Sequence, residues 1–349
     1  MSFRPALPAT LLACLLLALI ASGRAAPPAP RTTEAPATTP SEGAASAATA
    51  SATGTPAATP SSAASTPTAT ASPTATTTPT PAAFTVQVQP TEVARGETLL
   101  VRVAGASAGV VRTAAGTSVA LQSSADGGAW AVVGIGLYAD YGRATLSVTA
   151  RDAQGKPIGS AATAAYTVID PKRPADYLVV TEETAAILTP DAATIENSLR
   201  AVQFSAFDAT PRWSAPFRYP LANFEVSTLF GSGRSINGGP VGDFHTGEDL
   251  AADEGVPVLA PAPGRVAWVG EMPIRGNSVI LDHGGGVMTG YHHLHDINVA
   301  MGQTLEVGAL IGHVGSTGFA TGPHLHWELT IYGINVDPAT WTRRLFPTR

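Results

Sequence analysis

Residues 25–82 set the first limit on what this chain can fold into: 53 of these 58 positions are Ala, Thr, Ser or Pro, and none is aromatic, Leu, Ile or Val. A segment with nothing to bury cannot repay the entropy of ordering its backbone, so it reads as a disordered, flexible linker. Any packed core must come from the rest of the 349 residues, which leaves room for two or three domains.

Ahead of the linker, Arg4 precedes an apolar run from about Leu7 to Ala21, and residues 1–24 read as a signal peptide or N-terminal anchor. The expected location is therefore exported: extracellular, cell-wall associated or periplasmic, with a membrane tether through the N-terminus if the segment is retained. The only cysteine, Cys14, lies inside that run, so the exported domains would carry no disulfide. Leu11-Leu-Ala-Cys14 resembles a lipoprotein processing site, but the apolar stretch continues past Cys14 where such a site normally closes it. The net charge of −6 comes without any block of Lys and Arg, which argues against a nucleic-acid partner.

Ordered sequence begins near Phe84. Short alternating runs such as Phe84-Thr-Val-Gln-Val88, Leu99-Leu-Val-Arg-Val103 and Ala144-Thr-Leu-Ser-Val-Thr149 predict a small immunoglobulin-like β-sandwich over residues 83–170. Residues 171–223 read as a linker with one short helix. Thr189-Pro190-Asp191 supplies its cap, and Ile195 and Leu199 share a face. Trp213, Phe217 and Tyr219 are expected to pack as core.

From Phe224 onward, runs such as Val256–Leu259, Gly264–Val269, Asn277–Asp282 and His324–Thr330 are separated by glycine turns, with no long amphipathic helix between them. The fold class is thus mainly β, with an antiparallel C-terminal domain over 224–341 that carries a groove, followed by a tail at 342–349. Five of the eight histidines fall in three short clusters of this domain: His245-Thr-Gly-Glu-Asp249, Tyr291-His-His293-Leu and His324-Leu-His326. Alternation along a strand puts His324 and His326 on one face. Gly247 lets the backbone turn His245 and Asp249 inward together. Two imidazoles and one carboxylate leave a tetrahedral zinc with an open position, where it can polarise a carbonyl and lower the pKa of its water to about 7.

Gly242 to Ala251, Tyr291 to Leu294 and Gly315-Ser-Thr-Gly318 through Gly322-Pro-His-Leu-His-Trp-Glu328 resemble the lysostaphin/LytM family of zinc metallopeptidases over about residues 224–341. The resemblance implies a zinc-dependent endopeptidase that hydrolyses peptide cross-links of bacterial peptidoglycan, with one Zn²⁺ per chain. It implies His245, Asp249 and His326 as metal ligands and His293 and His324 as the non-ligand catalytic histidines. Arg234 and Asn237 sit in the loop before the first ligand. The β domain and residues 171–220 are expected to cover part of the groove, with Asn237 a candidate for the zinc's open position in that latent state. The alternative is a non-catalytic peptidoglycan-binding module or the activator of a separate amidase. Glu248 departs from the apolar residue common at its position. His292 and His295 read as surface residues or as modifiers of groove charge, and His283 and His313 as turn or packing residues.

Overall fold

The computed structural model describes Phe84–Pro347. The expected signal or anchor, Cys14, the 25–82 linker and the last two residues of the tail lie outside the described residues. None of the described helices is long and apolar enough to cross a membrane.

The N-terminal β-rich region is built from two sheets. One orders its strands Thr85–Gln89, Thr98–Ala104, Ala129–Gly134, Gln122–Ser123; the other orders Glu92–Ala94, Pro157–Ile169, Gly142–Arg151, Ala108–Thr113, Ser118–Ala120. Strand Thr98–Ala104 shows how sequence becomes layer. Leu99, Val101 and Val103 point into a core shared with Val111, Leu146, Val148 and Val168 of the other sheet, whereas Leu100 points the opposite way. Alternation with period two therefore buries both faces of this strand.

The outward face meets the C-terminal domain. Leu100, Trp130 and Val132 join Trp213, Phe217, Leu329, Ile331, Trp341 and Phe346 in one apolar cluster. Within it Trp213 stacks edge-on against Trp130 and Trp341, and Trp341 Nε1 donates to Thr98 Oγ1 at 3.0 Å. Fully burying each large apolar side chain stabilises by roughly 1.5–3 kcal/mol, so this seam is a second core and not a grazing contact. Trp213 and Phe217 pack as expected. Tyr219 is half-buried and packs on Trp327 and Phe224.

The C-terminal domain is centred on a sheet ordered Glu225–Thr228, Glu248–Ala251, His324–Ile331, Val287–His292, Gly276–Asp282, Gly264–Met272, Thr304–Leu305, with Ile334–Val336 returning beside His324–Ile331. All these pairings are antiparallel. A three-stranded antiparallel sheet orders Pro257–Leu259, Leu310–Val314, Leu294–Ile297 and packs its apolar side chains into the same core. The upstream segment adds a strand the sequence did not suggest: Ala175–Leu178 pairs in parallel with Gly233–Ile236. Helix α1, Glu182–Ala185, and helix α2, Pro190–Gln203, follow it; helix α3, Pro338–Arg343, ends the domain. Thr189 caps α2 by accepting from the Ala192 N–H, with Pro190 in the first turn, as its sequence predicts.

Candidate metal centre

Register builds the centre. In the sheet, His326 lies opposite Asp249 on one neighbouring strand and opposite His292 on the other, and cross-strand partners share a face. One face of the central strand thus carries His324, His326 and Glu328, while Leu325, Trp327 and Leu329 fill apolar cores on the other. His245 enters from the loop before the Asp249 strand, where its Nδ1 is 3.2 Å from the Leu229 carbonyl. Gly247 is required by space and not by a left-handed backbone. A Cβ there would lie 2.6 Å from the Trp327 carbonyl oxygen and 2.8 Å from the His326 ring.

The three candidate ligand atoms converge. His245 Nε2 is 2.8 Å from His326 Nδ1 and 2.9 Å from Asp249 Oδ1, and His326 Nδ1 is 2.7 Å from the same oxygen. All three residues are buried. Two imidazole nitrogens aimed at one another beside a carboxylate cannot all be satisfied by protons alone, and this N,N,O donor set with one side left open suits zinc. Burial holds both His245 and His326 below the usual histidine range despite the opposing pull of Asp249. Burial would raise Asp249, but the imidazole of His245 and hydrogen bonds from His245 and His326 outweigh it and hold the carboxyl well below the usual range. Neutral imidazoles and an ionised carboxylate are the protonation states that metal ligation needs. Arg234 Nη2 donates to the far oxygen of Asp249, Oδ2, at 2.8 Å, which orients the carboxylate.

His293 and His324 form the second layer, with ring centroids 4.7 Å apart. His324 Nε2 stands 3.8 Å from Asp249 Oδ1. His293 has φ 60, so the chain leaves the strand at this residue and the two adjacent histidines part company. Its ring is pushed down to about 3 by burial and by His324 beside it. Each ring is held by a backbone carbonyl: His293 Nδ1 by Thr317 O at 2.7 Å, and His324 Nδ1 by Gly322 O at 2.8 Å. A carbonyl can only accept, so Nδ1 carries the proton in both, and the neutral His293 ring leaves its Nε2 as an acceptor.

Other expectations are revised. His292 is fully buried and not a surface residue: its Nδ1 is 2.8 Å from Ser278 Oγ and its Nε2 2.6 Å from Glu328 Oε1. Gly290 makes room for that pair, since a Cβ would come 2.5 Å from His292 Nε2. Asn237 does not face the metal centre. Its side chain bonds the Val180 N–H at 2.9 Å and the Val180 carbonyl at 3.1 Å, and so holds the upstream segment. That segment does reach the groove, because Leu178 and Leu188 each line a cavity beside the centre. His295 is exposed and pairs with Glu254, and His313 pairs with Asp296. His283 is a packing residue bonded to Pro263 and Thr289. Glu248 points away from the ligands, and burial, followed by Asp337, pushes its carboxyl up to about 7.

Residues 243–338 match the family model of peptidase family M23. Over 96 residues the chain is 46% identical to the DD-carboxypeptidase/endopeptidase Mpg of Neisseria meningitidis, covering 28% of this chain and 22% of that protein. It is 44% identical over 93 residues to the peptidoglycan DD-endopeptidase ShyA of Vibrio cholerae, covering 27% and 22%. The chain thus spans less than a quarter of the length of these curated relatives. A crystal structure from Pseudomonas aeruginosa assigned to peptidase M23 superposes with a TM-score of 0.53 at 25% identity, covering 71% of this chain and 94% of that one.

Proposed function

We propose, from the match of residues 243–338 to peptidase family M23, that the chain is a zinc endopeptidase that hydrolyses peptide cross-links of bacterial peptidoglycan. The observation that carries this reading is the facing of two layers: His245, Asp249 and His326 converge on one point, and His293 and His324 line a cavity together with Asp249. His245, Asp249 and His326 hold one zinc ion, which when bound supplies Lewis acidity toward the scissile carbonyl and an acidified water. His293, neutral through burial, becomes a donor only after its Nε2 has taken a proton, and His324 stands beside it at the same cavity. The ring that accepts the proton of the attacking water is then the one able to deliver it to the departing amine nitrogen. Arg234 keeps Asp249 oriented while this happens.

The Neisseria relative, a DD-carboxypeptidase/endopeptidase, and the Vibrio relative, a peptidoglycan DD-endopeptidase, support a wall-peptide substrate, and such a substrate requires an exported enzyme in the periplasm or wall. The two-sheet region over 83–170 fits an immunoglobulin-like spacer that sets the catalytic domain against this polymer. Incubating the zinc-loaded full chain with intact sacculi should release new amino termini, and a chelator should stop the release. Zinc-replete protein that releases none from walls of several cross-link chemistries would refute the catalytic reading.

A further inference from the structure

Helix α2 lies wholly outside the residues matched to the family, yet its buried side chains lead straight to the metal centre. Of the apolar pair expected to seat it, Ile195 is 53% exposed and Leu199 only half-buried, whereas Glu196 is 1% exposed. A buried carboxylate is costly unless paired and hydrogen-bonded. Glu196 is both. Its Oε2 accepts the backbone N–H groups of Ile274 at 2.7 Å and Arg275 at 3.0 Å, and its Oε1 pairs with Arg275 Nη1. One turn later Arg200 grips Glu328 through both Nη atoms, Nη2 meeting Oε2 at 2.9 Å.

Each pair continues inward. Arg275 Nη2 donates to Thr246 Oγ1 at 2.8 Å, on the residue following His245, and the Arg275 carbonyl accepts the His293 N–H at 2.9 Å. Glu328 Oε1 faces His292 Nε2 at 2.6 Å, and the His292 ring lies 5.5 Å from that of His326. Glu328 Oε2 accepts from Asn335 Nδ2 at 2.9 Å, and Asn335 donates to the Thr246 carbonyl at 3.1 Å. Arg275 also lines the cavity that contains His245, His293 and His326, so a guanidinium released from Glu196 has space to swing into it.

We propose that α2 is a working part of the metal centre, with Glu196 and Arg200 as positioning residues. Glu196 acts through Arg275 on Thr246 and His293; Arg200 acts through Glu328 on His292 and His326. Two charged side chains of an upstream helix thereby fix the backbone on either side of the ligand set. The activity arm of the test rests on the peptidase reading, and the zinc arm does not.

The test uses the full chain with Glu196→Gln and Arg200→Gln, measuring zinc affinity by competition with a chelator and kcat per folded molecule well below the unfolding temperature. Outer residues of this kind cost about 10–100-fold in metal affinity or activity. Both variants should bind zinc at least about tenfold more weakly, and zinc-saturated kcat should fall about 10–100-fold while KM stays within about threefold. Glu196→Gln added to Arg275→Gln should cost no further loss, because the two act in one line. A lower melting temperature with wild-type zinc affinity and wild-type kcat per folded molecule would overturn the proposal, as would full additivity in the double variant. If the Gln variants do not fold, Glu196→Asp and Arg200→Lys keep the charge but shorten the reach or lose the fork. They should show the same pattern in smaller size, and unchanged zinc affinity and kcat in them would count against it. Wild-type protein that cleaves no wall peptide would refute the peptidase reading, and the zinc titrations would still decide the role of α2.

Discussion

The two β regions of this molecule use the same local vocabulary of short strands and glycine turns but bury different things. Between the sheets of the N-terminal region the core is mostly aliphatic, from Leu99 and Val101 to Val148 and Val168, and among the described residues its ionisable side chains are the phenols of Tyr166 and Tyr332. The C-terminal domain buries His245, Asp249, Asp282, His283, His292, His293, His326 and Glu328. Each such group carries a desolvation cost that an apolar residue would avoid. The contrast teaches where to look for chemistry: one region is organised for packing, and the other accepts costly groups that are each partnered, most of them around one point.

The sharpest way to break that contrast is to empty the polar cluster. His245→Ala, Asp249→Ala or His326→Ala should abolish zinc binding and activity together, whereas His293→Ala or His324→Ala should lower kcat by about 10²–10⁴-fold with zinc stoichiometry retained. Metal analysis beside kinetics checks the division, and equal metal loss in all five variants would erase it. Next in size, Leu99→Ala in the aliphatic core should cost about 2–5 kcal/mol of stability. The denaturant midpoint should fall while zinc affinity stays at its wild-type value; a coupled loss of zinc would show that the two regions are not separable in this way.

The smallest effect concerns His283, which burial pushes down to about 4 and which stays neutral between the Pro263 carbonyl and Thr289. Its unfolded form titrates near 6.5 and so binds more protons than the folded form between these values. Stability from this group is complete above pH 6.5 and is lost as the pH falls toward 4. Thermal melts of His283→Gln should show a flatter decline across that window than wild type, and parallel curves would remove His283 from the account.

Legibility in the sequence followed the same divide. His245, Asp249, His324 and His326 could be grouped because their spacings are short and strand alternation fixes faces. Adjacent His292 and His293 were sorted only by the family resemblance, since the left-handed turn at His293 that separates them is set by tertiary packing. The α2 contacts were hidden for another reason. A helical pattern search rewards Ile195 and Leu199, while Glu196 and Arg200 look like an ordinary solvated pair until Arg275 and Glu328 arrive from distant positions in the chain. Charge tells the sign of a partner but not its place. The parallel pairing of Ala175–Leu178 was unreadable because four residues carry no register signal of their own.

The aromatic seam of Trp130, Trp213, Phe217, Trp341 and Phe346 has a consequence for cooperativity. Trp341 is anchored to Thr98, and Trp213 to the Phe346 carbonyl, so losing the outward face of the N-terminal sheet exposes rings that also cover the sheet of the metal centre. Neither region can lose its structure without leaving the other with a bare apolar face. The two regions accordingly share one compact unit, and the scaffold of the metal centre includes Thr98, Leu100 and Trp130, long before its first ligand.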